Sequence, residues 1–244
     1  MTIGICDWGI GGAGLYQLIR RKSNVDVIYF SDTGYAPYGK VPQKELRERF
    51  LAVRKYFNQL GIQKIVVACN AASTIIDDDD ANITGVIKHG LRVVERIHPA
   101  RVGVVGGQRT IESNLYKNFL EAKGIKVIQK NAQPLSGLIE SGNIDSKNMD
   151  DEIKTIFTPL RHLEYILLAC THYPLISGKI LSVVKNTTLL DPAEEMAQWI
   201  FDHWKNLSGT ATVKWQTTGS TESMKFALQH LYQLEIHEID KINL

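Results

Sequence analysis

Residues 64–73 read KIVVACNAAS, and residues 165–175 read YILLACTHYPL. Each is a short run of apolar, often branched residues that ends in Ala-Cys and passes at once into small or hydrogen-bonding residues. A continuous apolar run bounded by turn residues predicts a strand buried on both faces, as in a parallel sheet. Each run therefore puts a cysteine, Cys69 or Cys170, at the carboxyl end of a central strand. In open α/β sheets ligands bind at that edge. Two thiols at equivalent ends of two related sheets can face one substrate from opposite sides.

Outward from these two runs, strands alternate with helices along the chain. Thr2–Cys6 reads as a first strand, followed by the glycine-rich turn 7–14 and a helix over 15–22. Val25–Phe30 reads as a second strand. In the helix expected over 43–60, Leu46, Phe50, Val53 and Phe57 recur at intervals of three and four. A short helix is expected from Ala71 to Ile76, and the acidic run Asp77–Asp80 reads as a solvated turn. Ile83–Ile87 leads into a helix over 89–97. Arg101–Val105 and the following Gly106-Gly107-Gln108-Arg109-Thr110 repeat the opening strand and its glycine turn. A second half resembling the first starts there, with a boundary at about residues 97–100. Its expected elements are a helix over 111–123, a strand over 126–129, a loop or short helix over 134–142 and a helix over 150–160. The Cys170 strand follows, then a helix over 177–184, a strand over 188–190 and a helix over 193–204. A strand over 214–217 and a helix over 222–231 close the chain. The fold class is α/β with mostly parallel sheets.

Composition narrows the function. The chain has 244 residues, 44% hydrophobic and 22% charged, with a formal net charge of +2. These values suit a globular domain or two, with neither nucleic acid nor a membrane surface as partner. No apolar run approaches the ~18–20 residues of a membrane-spanning helix. The first residues enter a strand without the basic and apolar regions of a signal peptide. Three cysteines, widely spaced and odd in number, do not make a disulfide framework. A reducing cytoplasm is the expected setting.

Gly9, Gly11 and Gly14 fit G-x-G-x-x-G between a strand and a helix, with Asp32 at the end of the second strand. That pattern suggests a dinucleotide site. Asp7 argues against it, because a carboxylate just before the first glycine would repel a pyrophosphate. The same carboxylate would favour an ammonium group or orient a proton-transfer group. The alternative is that the glycines permit tight turning and close helix packing.

Polar residues gather at the predicted strand ends: Asp7, Asp32, Thr33, Cys69, Asn70, Thr110, Cys170, Thr171 and His172. With these residues in view, the chain resembles the cofactor-independent glutamate racemases of the aspartate/glutamate racemase superfamily. The motifs that carry the resemblance are IGICDWGIGG (3–12), IYFSDTGYAPYG (28–39), VVACNAAS (66–73), ITGVIKHG (83–90), RVGVVGGQRTIES (101–113), PLSGLIESG (134–142), LLACTHYPL (167–175) and QTTG (216–219), together with the region of Asp191. The resemblance implies two pseudosymmetric α/β domains with the active site in the cleft between them. Residues 1–97 and 206–244 would form the first domain and 98–205 the second. It implies that Cys69 and Cys170 exchange the roles of base and acid, that Asp7 assists the first and His172 the second, and that Glu140 is a further acid. Asn70 and Thr171 would hold the polar ends of the substrate, with Thr110 beside them. Pro37, Tyr38 and Gly39 would supply a backbone cradle for carboxylate, in a loop shaped by Asp32 and Thr33.

The residues suit that chemistry. Racemisation removes a weakly acidic Cα proton and returns one to the opposite face, which one base on each side accomplishes. A thiol of pKa ~8.5 is only partly ionised at neutral pH and needs a helper. A Cys-His-Asp hydrolase would leave the second thiol idle. Zinc on Cys69, Cys170 and His172 would lack the close ligand pairs of structural sites. No lysine is marked for a pyridoxal phosphate Schiff base, so no cofactor is expected. A non-catalytic binding protein of the same fold would have no reason to keep both thiols with Asp7 and His172. Cys6 reads as buried strand filler. Two departures from the family pattern stand out: Trp8 where Ser is usual, and Ala71 where Thr is usual. Each removes a hydroxyl expected to touch the substrate, so an amino acid other than glutamate is the alternative substrate. Trp8 could instead turn outward onto the Tyr35–Tyr38 loop. The expected partners are an amino-acid substrate and a second copy of the chain, as a homodimer.

Overall fold

The computed structural model describes residues 1–76 and 80–244. The acidic turn expected at Asp77–Asp80 lies outside the described residues except for Asp80, which pairs with Arg54 at 2.8 Å. In chain order the strands are β1 (Thr2–Asp7), β2 (Asp26–Ser31), β3 (Ile65–Val67), β4 (Ile83–Gly85), β5 (Arg101–Gly106), β6 (Lys126–Asn131), β7 (Tyr165–Ala169), β8 (Thr188–Leu190), β9 (Val213–Thr217) and β10 (Asp240–Lys241). They make a six-stranded sheet in the order β10-β9-β2-β1-β3-β4 and a four-stranded sheet in the order β6-β5-β7-β8. Every pairing is parallel. The order β2-β1-β3-β4 is repeated as β6-β5-β7-β8, so the repeat read from the two glycine turns is a repeat of topology.

Parallel strands buried on both faces explain the near-continuous apolar runs. Side chains alternate between the faces. Ile3, Ile5, Val27 and Tyr29 enter the core on one face of the first sheet, whereas Cys6, Ile28 and Phe30 enter the core on the other. In the second sheet Val105, Ile166 and Leu168 face one core and Val104, Leu167 and Ala169 the other. Cys6 is buried strand filler, 5% exposed.

Four local features differ from the sequence expectation. The helix expected over 111–123 is two helices, Gln108–Glu112 and Leu115–Ala122. Between them Asn114 takes the left-handed conformation (φ 55°), which Asn tolerates better than most residues. The three-residue β4 and two-residue β10 are too short to show a period. Helix Pro192–His203, expected in the second domain, buries Met196, Ala197, Trp199 and Ile200 against the first sheet's core. Its apolar face matches either core, so pattern alone does not say which it joins. Helix Val86–Ile97 bridges the two, with Val86 in one core and Ile87 and Val94 in the other. No described helix is long and apolar enough to cross a membrane.

Candidate active site

The two cysteine runs end as expected, at the carboxyl edges of their sheets. β3 stops at Val67, and Cys69 sits where the extended chain turns into the short helix Asn70–Ser73. β7 stops at Ala169, and Cys170 opens a turn closed by the Tyr173 N–H donating to its carbonyl at 3.1 Å. Both cysteines line one cavity between the sheets. Asp7, Trp8, Pro37, Tyr38, Gly39, Asn70 and Ala71 join Cys69 on the first wall. Thr110, Thr171 and His172 join Cys170 on the second, with Gly107, Gln133, Ser136 and Ala169, which the sequence reading did not single out. Of the expected site residues only Glu140 is absent from the lining. A larger cavity lies on the far side of the glycine turn, lined largely by apolar groups such as Leu15, Leu175 and Met196. It touches Asn70 and Thr171 but neither thiol, so the smaller cavity is the one with the chemistry.

A chain of acid, imidazole and thiol runs across the second wall. His172 Nδ1 lies 3.7 Å from Cys170 Sγ, and its Nε2 lies 2.7 Å from Glu140 Oε2. The same Glu140 oxygen accepts the Ile10 N–H at 3.0 Å. Burial disfavours charge on His172, but the bonds to Cys170 and Glu140 outweigh it and hold the imidazole pKa well above its ordinary value. Glu140 therefore sits behind His172, bonded to the ring nitrogen that faces away from Cys170.

The glycine turn of the first strand makes this arrangement possible. A Cβ on Gly9 would lie 2.2 Å from Glu140 Oε2, and one on Gly11 would lie 2.4 Å from Thr171 Oγ1 and 2.8 Å from His172 Nδ1. Only a bare backbone lets the first domain approach the acid–imidazole chain of the second. Gly9 and Gly11 of the G-x-G-x-x-G pattern are thus contact points between the two halves, whereas Gly14 meets only Tyr232 at 3.7 Å.

On the first wall Asp7 is 2% exposed. Its Oδ1 accepts the Trp8 N–H at 2.6 Å and its Oδ2 accepts the Thr171 hydroxyl at 2.9 Å. Burial raises its pKa, against the pull of charged His172 and the Thr171 bond. Cys69 is buried too, and burial followed by the negative charge of Asp7 holds its thiol pKa well above the ordinary value. Thr171, expected to hold substrate, spends its hydroxyl proton on Asp7 and ties the two walls together.

Asn70 is 3% exposed, and its Oδ1 accepts the Tyr116 hydroxyl at 2.9 Å. That bond orients the amide. Its Nδ2 has no hydrogen-bond partner among the described residues. Asp32 anchors the loop behind the expected carboxylate cradle. It accepts from Arg49 Nε at 2.8 Å and Nη2 at 2.6 Å, from the Tyr38 hydroxyl and from Thr218 Oγ1 at 2.7 Å. Thr33 bonds Thr217 across the same loop at 3.2 Å. Arg109 adds a tie from the second half: its N–H donates to the Gly39 carbonyl at 3.2 Å and its guanidinium to the Val41 carbonyl. Trp8 turns its indole N–H to the Tyr35 carbonyl at 3.3 Å, while one edge of the residue still lines the cavity. The outward alternative describes the indole's bonding. Among the described residues no group of three or more His, Cys, Asp or Glu side chains is placed to hold a metal ion.

Comparison with known proteins bears on the family and the fold. The family model described as Asp/Glu/Hydantoin racemase matches residues 17–200. A glutamate racemase of Persephonella marina is 30% identical over 254 aligned positions, covering 100% of this chain and 98% of the relative. The crystal structure of a glutamate racemase isoform from Bacillus anthracis superposes with a TM-score of 0.89 at 26% identity, over 100% of this chain and 97% of that one. The fold is shared as closely with the Francisella tularensis glutamate racemase crystallised with D-glutamate, at TM-score 0.89 and 22% identity over 99% of this chain and 97% of that one. With a family model covering most of its length and a relative aligned end to end, this chain belongs to the Asp/Glu/Hydantoin racemase family.

Proposed function

We propose that the protein is a glutamate racemase that interconverts L- and D-glutamate by a two-base mechanism, without pyridoxal phosphate, flavin, nicotinamide or metal. One observation carries the reading: Cys69 and Cys170, one from each sheet, line the same cavity, and each has its own proton-handling partner. In one direction the Cys170 thiolate, paired with the His172 imidazolium, removes the Cα proton. The Cys69 thiol returns its proton to the opposite face and is left as thiolate beside Asp7. In the other direction Cys69 is the base and Cys170 the acid. Asp7, with its raised pKa, takes up the proton that Cys69 must lose before it acts as base. Glu140 holds the His172 ring and its charge. Asn70 Nδ2, Thr110 and the backbone of the Pro37–Gly39 loop bind the polar ends of the substrate.

The product D-glutamate supplies peptidoglycan synthesis, and with it cell-wall biogenesis and cell shape. The protein works in the cytoplasm, where its three unpaired cysteines stay reduced, and a homodimer is the proposed assembly. The test is circular dichroism of L-glutamate incubated with chelator-treated enzyme and no added cofactor. Loss of optical rotation supports the reading. Turnover that vanishes with chelator and returns with zinc overturns it.

A further inference from the structure

Gln133 has no part in the scheme above, yet it lines the catalytic cavity against the loop expected to cradle carboxylate. It opens the helix Gln133–Glu140, and Ser136, one turn on, lines the cavity too. A Cβ on Gly39 would fall 2.1 Å from Gln133 Oε1 and 3.0 Å from its Nε2, so the amide lies directly on the Gly39 backbone.

Two bonds fix which way the amide points. Oε1 accepts the Gln108 N–H at 3.0 Å, a place only an acceptor can fill. At the other end Ser136 Oγ donates its single proton to the Gln133 carbonyl at 2.9 Å, so Oγ must accept from Gln133, and Nε2 lies 3.1 Å away. An amide nitrogen carries two hydrogens. One goes to Ser136, and the other has no partner among the described residues. The second domain thus presents one preset N–H donor beside Gly39. The first half at the same cavity has Trp8, with its indole N–H on Tyr35, and Ala71, whose side chain has no donor.

We infer that Gln133 is a specificity-determining residue, whose free Nε2 hydrogen binds the side-chain carboxylate of an acidic amino acid. The inference rests on the glutamate reading above and names the group that selects the acid. It makes up for the donors absent at positions 8 and 71. The rival role is structural: the amide merely props the Gly39 loop.

Two substitutions separate the roles. Gln133→Glu keeps the shape and the acceptor facing Gln108 but places a carboxylate where the donor was. Gln133→Leu removes donor and acceptor without adding charge. The measurement is the calorimetric affinity for racemic glutamate, with melting temperature recorded for each variant. The expected result is a loss of about 10–100-fold for Gln133→Leu, as for a bond to a charged group. A larger loss is expected for Gln133→Glu, with kcat at saturation changed much less than KM. If Gln133→Glu binds as the wild type does, or better than Gln133→Leu, the inference is overturned. Should Gln133→Leu not fold, Gln133→Glu against wild type decides alone. Turnover of the wild type, measured separately, tests the racemase reading. Selective binding without turnover would remove that reading and leave the role of Gln133 standing.

Discussion

Cys69 is buried beside the negative charge of Asp7, whereas Cys170 is half-buried with an imidazole nitrogen 3.7 Å from its sulfur and a carboxylate behind that ring. The two walls are related by strand order but not by electrostatics. On the first wall burial and a neighbouring anion both favour the neutral thiol. On the second, the bonds to Cys170 and Glu140 hold the His172 imidazole pKa well above its ordinary value. The two thiols therefore sit in unlike surroundings, one beside an anion and the other beside an imidazole whose pKa is raised. A two-base racemase needs its thiols in opposite protonation states at any moment, and unlike partners on the two walls suit that need.

The largest effects should come from the thiols. Cys69→Ala and Cys170→Ala are each expected to abolish racemisation, a loss above the ~10²–10⁴ typical of one proton-transfer group. The surviving thiol should still exchange the Cα proton of one enantiomer. A single-cysteine variant racemising at a near wild-type rate, by polarimetry, would erase the comparison altogether.

Next come the helpers. Asp7→Asn and His172→Asn should each slow the direction in which its own cysteine is the base, by roughly 10²–10⁴ in proton exchange. The overall equilibrium still fixes the ratio of kcat/KM values, so the asymmetry shows in the individual steps. Equal and near-unity effects of both variants would mean that the walls do not divide the work.

Glu140→Gln sharpens the comparison through pH. Losing the carboxylate partner of His172 Nε2 should cost about 10–100-fold in the Cys170-base direction, as for a bond to a charged group. His172 would then hold its proton less tightly, and its pKa would fall from the elevated value. The imidazolium–thiolate pair would be lost at lower pH, so the alkaline limb of the pH–rate profile for that direction should move down. An unmoved limb would mean that Glu140 only props the glycine turn through Ile10.

The smallest effect concerns the first wall's lost hydroxyls. Because the Trp8 indole bonds Tyr35, Trp8→Ser alone should change glutamate kcat/KM by only a few-fold. Ala71→Thr, restoring a donor inside the cavity, should raise it by up to about tenfold. A larger gain from Trp8→Ser than from Ala71→Thr would show that the indole blocks the substrate.

Much of this was legible in the sequence because it lies at strand ends. An apolar run closing on Ala-Cys announces both a buried strand and the residue that emerges from it, and the two glycine turns mark the repeat. Gln133 and Ser136 escaped because a helix of eight residues opening beside a proline is too short to show which face meets the cavity. Arg49 escaped because it sits on the polar face of an amphipathic helix, and nothing local says that Asp32 waits opposite. The G-x-G-x-x-G pattern, which Asp7 argued out of a dinucleotide role, serves close packing instead. Glycine reports that something comes close to the backbone, and here that is the Glu140–His172 chain of the other half rather than a pyrophosphate. The helix Pro192–His203 joined the first core because an apolar stripe carries no address.

The central claim, that two opposed thiols divide the proton work, is tested most directly by racemisation in D₂O. L-glutamate and D-glutamate are incubated separately with wild-type enzyme, and product and unreacted substrate are separated early in the reaction. Deuterium at Cα is then measured in each by mass spectrometry. The expected result is deuterium in the product and almost none in the recovered substrate, for both starting enantiomers, because the proton is taken by one thiol and supplied by the other. Equal deuterium in product and recovered substrate would mean that a single base serves both faces, and would contradict it.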